Sequence, residues 1–229
     1  MIITIDGQIA TGKSTIAIRL AREIGFIFFD TGAMYRCLTY GVLKQHVNID
    51  DPKDMEKFLN KFNFEIKIKH AERFYFVDGE DVTLKIRGGE VTSTVSKVSA
   101  LPVVREKLVA LQREWAIGVN AVFEGRDMGT IVFPKAELKI FLTGRPEVRA
   151  ARRFAELRAK FPTETTTLTL DKVLEETNAR DAYDMQREIS PLKPAEDSIA
   201  IDTSDLSIDE IILKILEYKD TIRTRIKPL

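Results

Sequence analysis

Short apolar runs punctuate this chain, and between them lie longer stretches in which hydrophobic residues recur every three or four positions. Ile2 to Ile5 is rich in β-branched residues and ends at Asp6-Gly7, which suits a buried strand of a parallel sheet. From Ser14 onward Ile16, Ala17, Leu20 and Ile24 share one helical face, and Gly25 supplies a C-terminal stop. Phe26 to Phe29 reads as a second strand. Ala121 to Phe123, Leu138 to Leu142 and Ile199 to Ile201 are further short runs alternating with amphipathic stretches. This alternation predicts βαβ units, a parallel sheet of five core strands, and helices flanking it.

One stretch follows another period. Between Phe62 and Arg87, Phe64, Ile66 and Ile68 alternate with Glu65, Lys67 and Lys69; then come Phe74 to Val77, an Asp78-Gly79 turn, and Val82 to Ile86. Alternation in twos predicts a small antiparallel sheet inserted into the α/β body.

Composition narrows the function classes. The 229 residues, 44% apolar and 31% charged, are enough for one α/β domain with insertions. Thirty-five basic residues balance thirty-five acidic ones, so no global field draws the chain to nucleic acid or an anionic membrane, and any anion site has to be built locally. The single cysteine, Cys37, has no partner for an internal disulfide, and no Cys or His spacing suits zinc. With no basic n-region, cleavage site or membrane-length apolar run, the expectation is a cytoplasmic protein, monomeric, with no membrane or nucleic-acid partner.

Gly7-Gln8-Ile9-Ala10-Thr11-Gly12-Lys13-Ser14 fits the pattern G-x-x-x-x-G-K-[ST], between a strand and a helix where the chemistry requires it. Loop amides and the helix N-terminus converge on the β-phosphate, Lys13 reaches the β and γ oxygens, and the Ser14 hydroxyl can ligate Mg²⁺. With Thr15 this is the expected ATP-binding set. It fixes a phosphate donor and leaves the acceptor open.

Three further groups bear on the acceptor. Asp30-Thr31-Gly32-Ala33-Met34-Tyr35-Arg36 follows the second predicted strand, and Glu124-Gly125-Arg126-Asp127-Met128-Gly129-Thr130 follows the third, both at the sheet edge where ligands bind. Arg180, Asp184 and Arg187 share a helical face. Arg145, Arg149, Arg152 and Arg153 share another, ahead of a Thr-rich loop from Thr163 to Thr169, as a mobile lid would. Either charged face is also compatible with a plain solvated helix.

These motifs, in this order, resemble bacterial cytidylate kinases from Ile2 to about Tyr218: the loop in its Ile-Asp-Gly setting, the Asp30 to Arg36 and Gly125 to Thr130 segments, and Arg180-Asp181 with Asp184, Arg187 and Pro191-Leu192. The resemblance implies a P-loop kinase core (1–36, 106–145 and 171–229), a monophosphate-binding domain with the inserted sheet (37–105) and a short lid (146–170). It implies transfer of a phosphoryl group from Mg-ATP to CMP or dCMP. Arg36, Arg126, Arg180 and Arg187 would bind the acceptor phosphate, Asp184 the ribose, and Ser96, Arg105, Asp127 and Thr31 the cytosine. Lys13, Arg126, Arg149, Arg153 and Arg180 would carry the catalysis.

Three positions depart from that family. Gln8 stands where it usually has proline, Ala10 where it has glycine, and Tyr183 where some members have a charge. A glycine at position 10 serves a backbone conformation that a Cβ resists. The competing readings are a kinase for uridylate, thymidylate or shikimate, a GTPase-like switch, and a binding protein that keeps the cradle but has lost transfer. A GTPase would carry an Asn-Lys-x-Asp motif, which this sequence lacks.

Overall fold

The structure is a computed structural model describing residues 1–70, 72–163 and 165–226, with side chains to residue 221. Ala71, which falls in the segment expected to form the inserted sheet, Glu164, in the Thr-rich stretch of the sequence, and residues 227–229 lie outside the described residues. The chain divides into two compact units, 1–29 with 116–229, and 30–115.

The first unit is built on a five-stranded parallel sheet of β1 (Ile2–Gly7), β2 (Ile27–Asp30), β3 (Ala121–Glu124), β4 (Leu138–Thr143) and β5 (Ile199–Asp202), in the order β2-β3-β1-β4-β5. All five predicted core strands are present, each within two residues of its expected bounds. The central strand β1 pairs Ile5 with Glu124 on one side and with Ile140 on the other. Its Ile3 and Ile5 are fully buried, packed with Ile16, Leu20, Val122, Leu142 and Ile215. Helix α1 (Lys13–Ile24) presents its apolar face to that core and ends at Gly25, whose φ of 69° and amide bonds to Ala21 and Arg22 make a left-handed cap.

Two helices follow β4. Helix α6 (Pro146–Lys160) packs along α7 (Leu170–Gln186), whose buried positions Val173, Thr177, Asp181 and Asp184 form one stripe. Helix α8 (Ile208–Ile226) returns against α1 and β4. No helix among the described residues is long and apolar enough to cross a membrane.

The second unit holds α2 (Thr31–Lys44), α3 (Pro52–Lys61), α4 (Gly89–Ala100) and α5 (Pro102–Trp115) around a core of Met34, Leu38, Met55, Leu59, Val98 and Leu108. Its small antiparallel sheet has three strands, β6 (Phe64–Lys69), β7 (Glu72–Val77) and β8 (Glu80–Asp81). The run Val82 to Ile86 corrects one expectation, because it is a turn leading into a 3₁₀ helix (Lys85–Arg87) rather than a strand. Val82 and Ile86 are fully buried while Leu84 between them is 75% exposed, and the Ile86 amide donates to the Val82 carbonyl at 2.9 Å. Burial in steps of four is a helical period, and it overrides the apparent alternation.

Candidate active site

The phosphate loop leaves the end of β1 at Gly7, whose φ is +149°. A Cβ there would lie 2.2 Å from the Leu142 carbonyl oxygen, so the sharp departure requires glycine. Ala10 adopts a φ of 59°, the left-handed conformation that the departure from family glycine had raised. Gly12 caps α1 with a φ of 87°. Inside the loop the Thr11 hydroxyl donates to the Gln8 carbonyl at 3.0 Å, and Lys13 Nζ donates to the same oxygen at 2.5 Å.

Lys13 is only 5% exposed, and its ammonium is pushed down to about 7. Burial is the main cause, the Arg126 charge adds to it, and the carboxylates of Glu124, Asp181 and Asp6 oppose it. Arg180 is pushed down to about 10, again first by burial and then by Arg126 and Arg153, with Asp184 opposing. Its Nε and Nη1 are buried and make no hydrogen bond. Arg126 thus stands near enough to both Lys13 and Arg180, and Arg153 near enough to Arg180, to disfavour the charges of Lys13 and Arg180, a crowding that an anion would relieve.

Arg126 is oriented by an acid. Arg126 Nε donates to Asp184 Oδ2 at 3.1 Å, with Asp184 on the buried stripe of α7. Arg187, just past the end of α7, donates through Nε to the Ser190 carbonyl at 2.5 Å and stands 4.0 Å from Asp127. Asp127 is 2% exposed and opens a π-helical turn, Met128–Val132, in which its carbonyl accepts the Ile131 and Val132 amides. Residue-level patterning does not reveal such a turn, which commonly marks functional sites. Asp6 secures it: its carboxylate accepts the amides of Met128 at 2.9 Å and Gly129 at 2.8 Å.

The arginines of α6 are placed differently from an open lid face. Arg145 precedes the helix and is paired with Asp205, Arg152 donates to Thr203, and Arg153 pairs with Glu156 at 2.9 Å. Arg149 is 1% exposed, its Nε donating to the Gly144 carbonyl at 2.8 Å and its Nη1 to Ile9 and Asp181. A helical wheel puts it with Arg153. Two of its partners, Ile9 and Asp181, are distant in sequence and supplied only by the fold, and they draw it inward.

In the second unit Thr31 is buried at the start of α2, beneath the Asp30 cap. Arg36 Nη1 donates to the Ile86 carbonyl at 3.0 Å and the Thr92 hydroxyl at 2.9 Å. Arg105, 5% exposed on α5, donates to the Ser99 carbonyl at 3.3 Å, with its guanidinium 5.8 Å from the centre of the Tyr35 ring. Ser96 sits half-buried on α4, its carbonyl accepting the Ser99 hydroxyl.

Two residues now prominent, Asp6 and Asp181, had no site role in the sequence reading. For Asp181 a signal exists, since it falls in step with Val173, Thr177 and Asp184 on the inner stripe of α7. As for a metal, among the described residues no group of three or more His, Cys, Asp or Glu is placed to hold an ion. Ser14, the second residue of α1, offers one hydroxyl beside the loop, a donor that fits a Mg²⁺ carried chiefly by nucleotide phosphates.

Comparison with known proteins agrees with this geometry. The sequence model of the cytidylate kinase family matches residues 3–221. A cytidylate kinase of Protochlamydia amoebophila (strain UWE25) is 66% identical over 225 residues, covering 98% of this chain and 99% of that protein. One from Caldicellulosiruptor bescii is 46% identical over 215 residues, covering 94% and 93%. Among solved structures, shikimate kinase from Bacteroides thetaiotaomicron superposes with a TM-score of 0.50 at 10% identity, covering 96% of this chain and 98% of the other, a likeness of fold alone. The phosphate loop on its parallel sheet, the inserted antiparallel sheet and a match over nearly the whole length thus agree, and the chain belongs to the cytidylate kinase family.

Proposed function

We propose that the chain transfers the γ-phosphoryl group of ATP directly to CMP and dCMP, giving ADP and CDP or dCDP. The observation that carries this reading is the glycine-built phosphate loop with its buried Lys13, together with Arg180, whose buried Nε and Nη1 make no hydrogen bond and suit anionic oxygens. Family membership points to the cytidine acceptor.

In this reading the Gly7 to Thr15 loop binds the triphosphate through its amides, and Lys13 shifts from the Gln8 carbonyl to the β and γ oxygens. Mg²⁺ bound with the nucleotide, with Ser14 as one ligand, would neutralise charge on those oxygens. Arg36, Arg126, Arg180 and Arg187 hold the acceptor phosphate. Asp184, already oriented on Arg126, takes the ribose hydroxyl. Thr31, Ser96, Arg105 and Asp127 read the cytosine, whose exocyclic amine is a donor beside ring and carbonyl acceptors. Residues 37–105 then serve as the monophosphate-binding domain and 146–170 as the lid, with Arg153 at the transferring group.

Phosphoryl transfer asks little covalent chemistry of a protein. An acceptor phosphate oxygen forms a bond to the γ-phosphorus in line with the breaking bond to the β–γ bridging oxygen, and ADP departs. Positioning and charge neutralisation supply the rate.

Phosphorus NMR of the chain with Mg-ATP and CMP tests this. The expected record is ADP and CDP rising one for one with no phosphorylated protein. Inorganic phosphate in place of CDP, or a phosphoprotein formed with ATP alone, would overturn direct transfer.

A further inference from the structure

Two buried charges that the proposed chemistry does not use, Arg149 at 1% exposure and Asp181 at 4%, converge on one residue of the phosphate loop. Asp181 Oδ1 accepts the Ile9 amide at 3.0 Å, and Arg149 Nη1 donates to the Ile9 carbonyl at 3.1 Å. The same guanidinium pairs with Asp181 Oδ2, while its Nε donates to the Gly144 carbonyl at 2.8 Å. One ion pair, spanning α6 and α7, thus holds both polar groups of a single loop residue.

The next residue is Ala10, with a φ of 59°. A Cβ disfavours that conformation, which persists only where the surroundings impose it. The contacts inside the loop, from Thr11 and Lys13, fix the Gln8 carbonyl and leave Ile9 to the ion pair. A buried ion pair is a weak source of stability against an apolar pair of the same volume. Two charge-assisted hydrogen bonds to the Ile9 backbone are something an apolar pair could not make.

We propose that Arg149 and Asp181 are positioning residues: they clamp Ile9 so that Ala10 keeps its left-handed conformation and the loop amides stay aligned for the β-phosphate of the donor. The inference rests on the ATP reading given above. It separates Arg149 from Arg153, because the fork of Arg149 is committed to Gly144, Ile9 and Asp181.

The test is a cycle of Asp181→Ala, Ala10→Gly and the double variant, reading calorimetric affinity for Mg-ATP, the two Michaelis constants and thermal unfolding. Asp181→Ala is expected to weaken ATP at least tenfold while the Michaelis constant for CMP stays within twofold. In the Ala10→Gly background the same change is expected to cost threefold or less, since glycine adopts the conformation unaided. A lowered unfolding temperature with unchanged ATP affinity would assign the pair to packing alone and overturn the proposal. An equal loss in both backgrounds would overturn the link to Ala10. If Asp181→Ala does not fold, Arg149→Lys replaces it, because an ammonium lacks the fork whose Nε serves Gly144 while Nη1 serves Ile9 and Asp181, and the same ATP-specific loss is expected. Failure of the native chain to bind Mg-ATP would sink the donor reading and the clamp with it, whereas binding by the native chain with no change in either variant would sink the clamp alone.

Discussion

The carboxylate of Asp6 accepts the backbone amide of Gly129 at 2.8 Å, joining the end of β1 to the π-helical turn that follows β3. The contact is close on every side: a Cβ at Gly129 would meet Thr4 Oγ1 at 3.1 Å and the Lys139 stem at 3.2 Å. The turn that directly follows Arg126 and Asp127 is therefore held to the strand that leads into the phosphate loop.

Burial pushes Asp6 up from 3.8 to about 7; the charge of Asp127 adds to this, and the two amides and Lys13 oppose it. Between about pH 4 and 7 the folded chain keeps a proton on Asp6 that the unfolded chain has released. Folded protein binds more protons there, so the Asp6 contribution to stability falls as pH rises through that window, by an amount on the order of a few kcal/mol. Urea denaturation at intervals across the window should show a steeper decline for the native chain than for Asp6→Asn. Parallel curves would contradict the assignment.

Gly7 and Gly12 differ in kind although both belong to the loop motif. A Cβ on Gly7 meets backbone at 2.2 Å, whereas one on Gly12 meets only the Ile16 side chain at 3.6 Å. Gly7→Ala should cost about 3 kcal/mol or more, and Gly12→Ala about 1–2 kcal/mol from its positive φ alone. Chemical denaturation of the two variants orders them.

Arg126 and Asp184 form a pair whose side chains are 22% and 5% exposed. Asp184→Ala removes the counter-charge of Arg126 and the carboxylate that supports the charge of Arg180. Since Arg126 keeps some water, the loss should be about 2 kcal/mol, below the range for a fully buried pair. The Michaelis constant for the acceptor should rise at least about tenfold, or 1.4 kcal/mol.

Lys13 is retained at a cost to the fold, because burial disfavours its charge. Lys13→Met keeps the stem and should leave stability unchanged or raise it by about 1 kcal/mol, while kcat falls about 100-fold or more. A variant both destabilised and fully active would make the lysine structural.

The parts of this architecture legible in the sequence are those set by local periodicity. Five β-branched or aromatic runs announced the sheet, and the glycines and Lys13 announced the loop. Val82 to Ile86 reads as a strand because Val82, Leu84 and Ile86 satisfy a period of two, while burial selects only Val82 and Ile86. The π-helical turn was hidden because its support, Asp6, lies 123 residues from Gly129. Arg149 shows the same limit: helical spacing groups it with Arg153, yet its fate is decided by Ile9 and Asp181, which the fold brings to it.

The activity proposed for this chain is phosphorylation of cytidine monophosphates at the expense of ATP. ADP formation from Mg-ATP, measured separately with CMP, dCMP, UMP, AMP, GMP, dTMP and shikimate, tests it most directly. The account predicts rapid turnover with CMP and dCMP and little with the rest. Preferred turnover of another acceptor, or none with either cytidine nucleotide, would contradict it.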